Sequence, residues 1–227
     1  TIKVHLAGKL TPDIIAAHFS VPLVKYFKGR SAFYANLLLH DASSNLGNDL
    51  HISTDLFGIK TVKIPPPFAK GLLDKRPMTV DVTILKNKPL FLRLGYNKLV
   101  STALVYHKAP KGLKFMSGSI QFGGQKAQYL KKPGVIIQGH LDSLNWSDWQ
   151  TFLDQLLVDQ QVTQTVSQAN NMFVRLVSLS VGTLTAYQNV LHQIKLQLTP
   201  QKQGWRVRAV SPSLEGEILI PKNHQNL

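Results

Sequence analysis

The chain of 227 residues contains no cysteine. That removes disulfides, thiolate zinc sites and cysteine nucleophiles together, and leaves the redox compartment open. Acids are scarce: 12 Asp and Glu stand against 26 Lys and Arg, a formal net charge of +14. Such an excess calls for an anionic partner (nucleic acid, lipid headgroups or acidic polymer) or is a solvated basic surface with no partner. Long apolar runs are also missing, and no stretch approaches the roughly 18–20 apolar residues a membrane helix needs. The chain opens at Thr1 in strand pattern, with no initiator Met and no signal-peptide pattern, which predicts a piece cut from a longer protein.

Catalytic patterns are missing as well. Histidines stand at 5, 18, 40, 51, 107, 140, 192 and 224 without metal-ligand spacing. His140 with Asp142, on one strand face, has the types for a metal or a base, but such a pair is more often a surface hydrogen bond. The run from Gly118 to Gly124 begins like a phosphate loop, yet Gly124 occupies the place of the essential lysine and the run sits in strand pattern. Neither Gly-x-Ser-x-Gly nor Gly-x-Gly-x-x-Gly occurs. Glu215 and Glu217 share a strand face, where outward solvation is the simpler use. Asn145-Trp146-Ser147 matches a glycosylation acceptor, although Asn145 reads better as a helix cap. Nothing asks for an enzyme, a metal or a cofactor.

What is present is alternation. With 44% apolar residues the chain is a normal folded one. Apolar and polar residues alternate in Val177-Ser178-Leu179-Ser180-Val181, in Ile194-Lys195-Leu196-Gln197-Leu198-Thr199 and in Trp205-Arg206-Val207-Arg208-Ala209. In Leu214-Glu215-Gly216-Glu217-Ile218 the outward partners are carboxylates, and Ile220 continues the apolar row. Strand side chains point to opposite faces with period two, so each run has one greasy and one wet face. Turn residues at 199–204 and 211–213 separate the runs, giving an antiparallel meander.

The rest follows the same pattern. Strands are expected at 1–10, 31–40, 49–57, 77–85, 90–96, 99–107, 116–123 and 135–144. Thr11-Pro12-Asp13 starts a helix to about Ser20, and Pro22 opens another short turn to Phe27. Three prolines, 65–67, cannot donate to a ladder and mark an extended excursion at a sheet edge or end. Asn145 caps a second helix over about 145–157, with Trp146, Trp149, Leu153 and Leu156 or Leu157 on one face. The polar stretch 158–172 either continues that helix or forms a hinge. The fold class is therefore mainly β, an antiparallel twisted sheet with two short helical insertions in a single segment over 1–227.

Nucleic acid is disfavoured. Single-strand binders interleave aromatics and cations on one sheet face, whereas Trp205 is out of phase with Arg206 and Arg208. The lysines at 25, 28, 60, 63, 108, 111, 114, 131 and 132, with Arg30, read as a basic rim.

Several passages in order carry a resemblance: Gly58-Ile59-Lys60-Thr61-Val62-Lys63-Ile64 leading into the three prolines and Phe68-Ala69-Lys70; Met116 to Gly124; Pro133 to Leu141; Leu144 to Trp149; Gly204-Trp205-Arg206-Val207; and Ser213 to Pro221. Together they resemble the C-terminal part of the YhdP family, large AsmA-like proteins of Gram-negative envelopes. The resemblance implies a segment of an inner-membrane-anchored, periplasmic protein built as a grooved β-sheet that moves phospholipid between inner and outer membranes. It implies no catalytic set. The periodicity supplies the candidate lipid-binding face: Val177, Leu179, Val181, Ile194, Leu196, Leu198, Trp205, Val207, Ile218 and Ile220. The alternative is a structural or protein-binding envelope domain whose apolar face is an ordinary closed core; alternation alone does not separate the two.

Overall fold

The computed structural model describes residues 1–18, 22–41, 46–110, 112–163 and 174–221. Strands β1 (Ile2–Leu10), β3 (Ser31–Leu39), β4 (Asn48–Thr54), β6 (Met78–Ile84), β7 (Leu90–Tyr96), β8 (Val100–Ala109) and β9 (Gly112–Phe122) follow one another in the sheet. The sheet continues through β10 (Gly134–Asn145), β11 (Val174–Ala186), β12 (Asn189–Gln201), β13 (Gly204–Val210) and β14 (Glu215–Pro221). These twelve strands form one open sheet with β1 and β14 at its edges. Two short strands, β2 (Phe27–Gly29) and β5 (Ile59–Thr61), pair separately. The helices are α1 (Pro12–His18), a single 3-10 turn at Pro22–Tyr26, and α2 (Trp146–Thr163).

The mainly β, mostly antiparallel reading holds, with one correction. β10 runs parallel to both β9 and β11, because each connection is long enough to return the chain to the starting end. The first return, 123–133, lies across the sheet's polar face. Ser117 and Ser119 donate to the carbonyls of Leu130 (2.7 Å) and Gln128 (2.5 Å), and Ser101 Oγ accepts from Ala127 N–H at 3.1 Å. The second return carries α2. Asn145 Oδ1 accepts from Ser147 N–H at 3.1 Å, satisfying one of the free donors at a helix start. α2 takes up 158–163 of the stretch expected to continue the helix or hinge; 164–172 lies outside the described residues.

Two excursions leave the sheet between neighbouring antiparallel strands. Residues 11–30 separate β1 from β3, and 55–77 separate β4 from β6. Both leave from the strand ends where Ser31 and Thr54 meet, hydroxyl to hydroxyl, at 3.1 Å. Lys70 pins the second one: its buried ammonium donates to the carbonyls of Ile59 (2.6 Å) and Gly71 (2.9 Å). The triproline run thus sits at a sheet end, as its missing donors require.

A continuous apolar face

Register turns separate alternations into one surface. Directly paired residues point to the same side. One row runs Leu6, Ala35, Ile52, Val80, Leu94, Thr102, Ile120, Ile137, Val177, Leu198, Val207, Ile218, with one residue from each of the twelve strands. Eleven of the twelve are apolar, and only Ala35 is buried. A second row, Val4, Leu37, Leu50, Val82, Leu92, Leu104, Gly118, Val135, runs beside it across the first eight strands of the sheet. At the two edges the face is open to solvent: Leu6 is 54% exposed and Ile218 66%.

The opposite face is polar. His5, Asn36, His51, Asp81 and Arg93 stand in one row, with the His5–Asn36 and His51–Asp81 pairs each at 2.6 Å. On β13 and β14 the outward Arg208 and Arg206 pair with Glu215 (2.8 Å) and Glu217 (3.2 Å). The exposed His140 and Asp142 lie 3.2 Å apart as a surface pair.

All ten expected lipid-facing residues belong to the apolar face, but they are not equivalent. Val177, Leu179, Leu196, Leu198, Trp205 and Val207 are partly exposed, and Ile218 and Ile220 more so. Val181 and Ile194 are 0% and 2% exposed, packed with Leu184 and flanked by Leu144 and Leu191. Leu184 and Leu191 belong to the opposite parity from Val181 and Ile194. They join the same cluster because the ladders skip Asp142, Gly182 and Gln193, and Gln193 has φ 51°. A Cβ on Gly182 would lie 2.6 Å from Asp142 O, so a glycine is needed where the strands crowd together. The alternation breaks there, and apolar side chains of both parities meet.

The two ends of the strands differ. At the end that carries the excursions, aromatic rings join the insertions to the apolar face. Phe68 contacts Phe122 (5.8 Å) and Trp149 (5.6 Å), Trp149 contacts Phe152 (5.8 Å), and Phe152 contacts Tyr26 (5.1 Å). Trp149 Nε1 also donates to Pro66 O at 3.1 Å. Periodicity missed Phe152; it placed Trp146 and Leu153 on the packing face, and both are exposed. Side chains at 156 and 157 lie outside those described.

The other strand ends are basic. Exposed lysines 86, 88, 108, 114, 131, 132 and 202 flank the turns there, and the stretches 85–89, 107–114, 130–134 and 200–204 contain no Asp or Glu. Near this rim, half-buried Tyr106 packs on Phe115 at 5.7 Å, and burial pushes its hydroxyl above the ordinary tyrosine range. Among the described residues no three His, Asp or Glu side chains are grouped to hold a metal, and no helix is long and apolar enough to cross a membrane.

The chain matches the YhdP protein family over residues 1–227 and belongs to that family. No curated protein and no solved structure matches it.

Proposed function

We propose that this member of the YhdP family is a non-enzymatic segment of a phospholipid conduit in the Gram-negative envelope, part of a periplasmic, inner-membrane-anchored protein that passes lipid between inner and outer membranes. The observation that carries the reading is the twelve-residue row from Leu6 to Ile218. Eleven interstrand steps of about 4.8 Å give an apolar path on the order of 50 Å long. An acyl chain laid along it gains roughly 0.8 kcal/mol per buried methylene. Each strand offers a similar environment, so sliding along the row needs neither nucleotide nor catalytic residue. The lysine rim runs beside the path at the strand ends, where an ammonium can answer a headgroup phosphate.

Eight of the ten residues named from the sequence line the proposed path, while Val181 and Ile194 form its packed floor. A closed-core domain remains the competing reading. The partial exposure of nearly the whole row supports the open one, because in a closed core most of these residues would be sealed. Phospholipid co-purifying with the chain, identified by mass spectrometry of an organic extract, tests the proposal; a lipid-free chain that still folds goes against it.

A further inference from the structure

On the polar face, away from the lipid path, one cation lacks what its neighbours have. Arg93 and Asp81 are direct cross-strand partners on β7 and β6. Asp81 nevertheless gives an oxygen to His51 Nδ1 at 2.6 Å. The Arg93 guanidinium lies over the Tyr129 ring, 4.9 Å from its centroid, and its buried Nε has no hydrogen-bond partner among the described residues. Buried polar groups are nearly always satisfied, and a guanidinium offers five donors in a planar fork. Tyr129 is held in place by the return segment 123–133, which is tied to Ser117, Ser119 and Ser101.

Arg93 borders a cleft of about 320 Å³, with Lys98 from the β7–β8 turn, Lys126 from the return segment, and Thr79, Ser101 and Asp81. Lys98 and Lys126 are exposed and, among the described residues, take part in no ion pair. Ser101 accepts from Ala127 N–H, so its own hydroxyl proton remains free to donate. Gly95 also borders the cleft, and a Cβ there would come within 3.0 Å of Thr79 Oγ1, taking up space inside it. Three cations and the hydroxyls of Thr79, Ser101 and Tyr96 border the cleft, against one carboxylate already engaged by a histidine.

We infer that this cleft binds a phosphate-class anion, with Arg93 as its fork and Lys98 and Lys126 as flanking charges. A carboxylate would use fewer of the donors, whereas a phosphate monoester or diester presents more oxygens and up to two charges. The inference is independent of the lipid path, which runs on the other face.

The test is an NMR titration of the isotope-labelled chain with inorganic phosphate and, separately, glycerol 3-phosphate, at ionic strength held constant with chloride. Flotation with vesicles of phosphatidylglycerol in phosphatidylcholine, against phosphatidylcholine alone, forms the third arm. Saturable movement of the Arg93 Nε–H resonance, weakened about tenfold or more in Arg93→Gln as for loss of a charge-assisted hydrogen bond, is the expected result. Lys98→Asn should weaken it too; Lys98 has φ 55°, a conformation asparagine tolerates, so this variant keeps the turn even if Arg93→Gln does not fold. Response to the soluble phosphates identifies a soluble ligand. Vesicle binding lost in Lys98→Asn without any soluble response identifies a headgroup. No response in any arm, or responses unchanged in the variants that fold, overturns the inference.

Discussion

Tyr26 and Phe152 meet edge to face, 5.1 Å between ring centroids and 65° between planes. Tyr26 precedes β3 and Phe152 follows β10, and six interstrand steps, about 29 Å of sheet, separate those strands. Their contact means that the insertions lean along one rim of the apolar face until they touch. Each is a side branch too small to bury its own apolar residues alone, yet Val24, Leu56 and Ile59 on them are buried, as are Tyr26 and Phe152.

Phe152→Ala should therefore unlatch more than one helix. The expected cost is about 3 kcal/mol in denaturant unfolding, the lower part of the range for a buried phenylalanine. In a background where Trp149 is the remaining tryptophan, its emission should shift to the red. The exposed Leu153→Ala should cost well under about 1 kcal/mol. Equal losses for the two variants would contradict the latch.

Much of this architecture is legible in the sequence, for a physical reason. Strand side chains alternate with an integral period, so Val177, Leu196, Val207 and Ile218 can be assigned to one face without coordinates. Register is not written locally, and the row from Leu6 to Ile218 appears only when twelve ladders are combined. The parallel strands are equally hidden, because nothing in the composition of β10 marks its direction and 123–133 has no period to announce that it crosses the sheet. In α2 the helical spacing defines a stripe, but Phe152 rather than Leu153 faces the insertions because Tyr26 and Phe68 approach from that side. Arg93 left one weak trace: a cation in an otherwise apolar strand, with no acid two residues away on its own face.

Lys70 predicts a pH effect. Burial lowers its pKa below the ordinary 10.5, and Arg76 adds to that, while Asp74 and Asp55 pull the other way. Between the lowered folded value and 10.5 the unfolded chain holds the extra proton, so the stability contribution of Lys70 rises with pH across that window. Lys70→Met removes the two carbonyl contacts and should destabilise by about 1–3 kcal/mol near neutrality. The gap between wild type and variant, followed by denaturant unfolding, should widen as pH approaches 10.5. A gap that is flat or narrows would contradict this account of the buried ammonium.

The lysine rim predicts salt-dependent binding to anionic membranes. Each cation near such a surface contributes about 1 kcal/mol. Replacing Lys108, Lys131 and Lys132 by glutamine should then weaken binding to phosphatidylglycerol vesicles about a hundredfold at low salt. The difference should shrink as salt shortens the screening length. Replacing Lys28 and Lys60, on the insertions, should have a smaller effect. Equal effects at both sites, or binding indifferent to salt, would remove the rim from the account.

An open lipid path along the twelve-strand apolar row treats its positions differently from a closed core. Val207→Asp and Leu196→Asp place a carboxylate on that face at partly exposed positions, while Val181→Asp places one at a sealed position. An unpaired buried charge costs several kcal/mol, comparable to a domain's whole stability, so Val181→Asp should unfold the chain. At Val207 and Leu196 the carboxylate keeps part of its hydration, and folding should survive with a modest loss in melting temperature. The decisive measurement is the amount of phospholipid co-purified with, or photo-crosslinked to, the folded Val207→Asp and Leu196→Asp chains. An open path gives folded variants that have lost their lipid; folded variants that retain all of it, or variants that unfold as Val181→Asp does, rule the open path out.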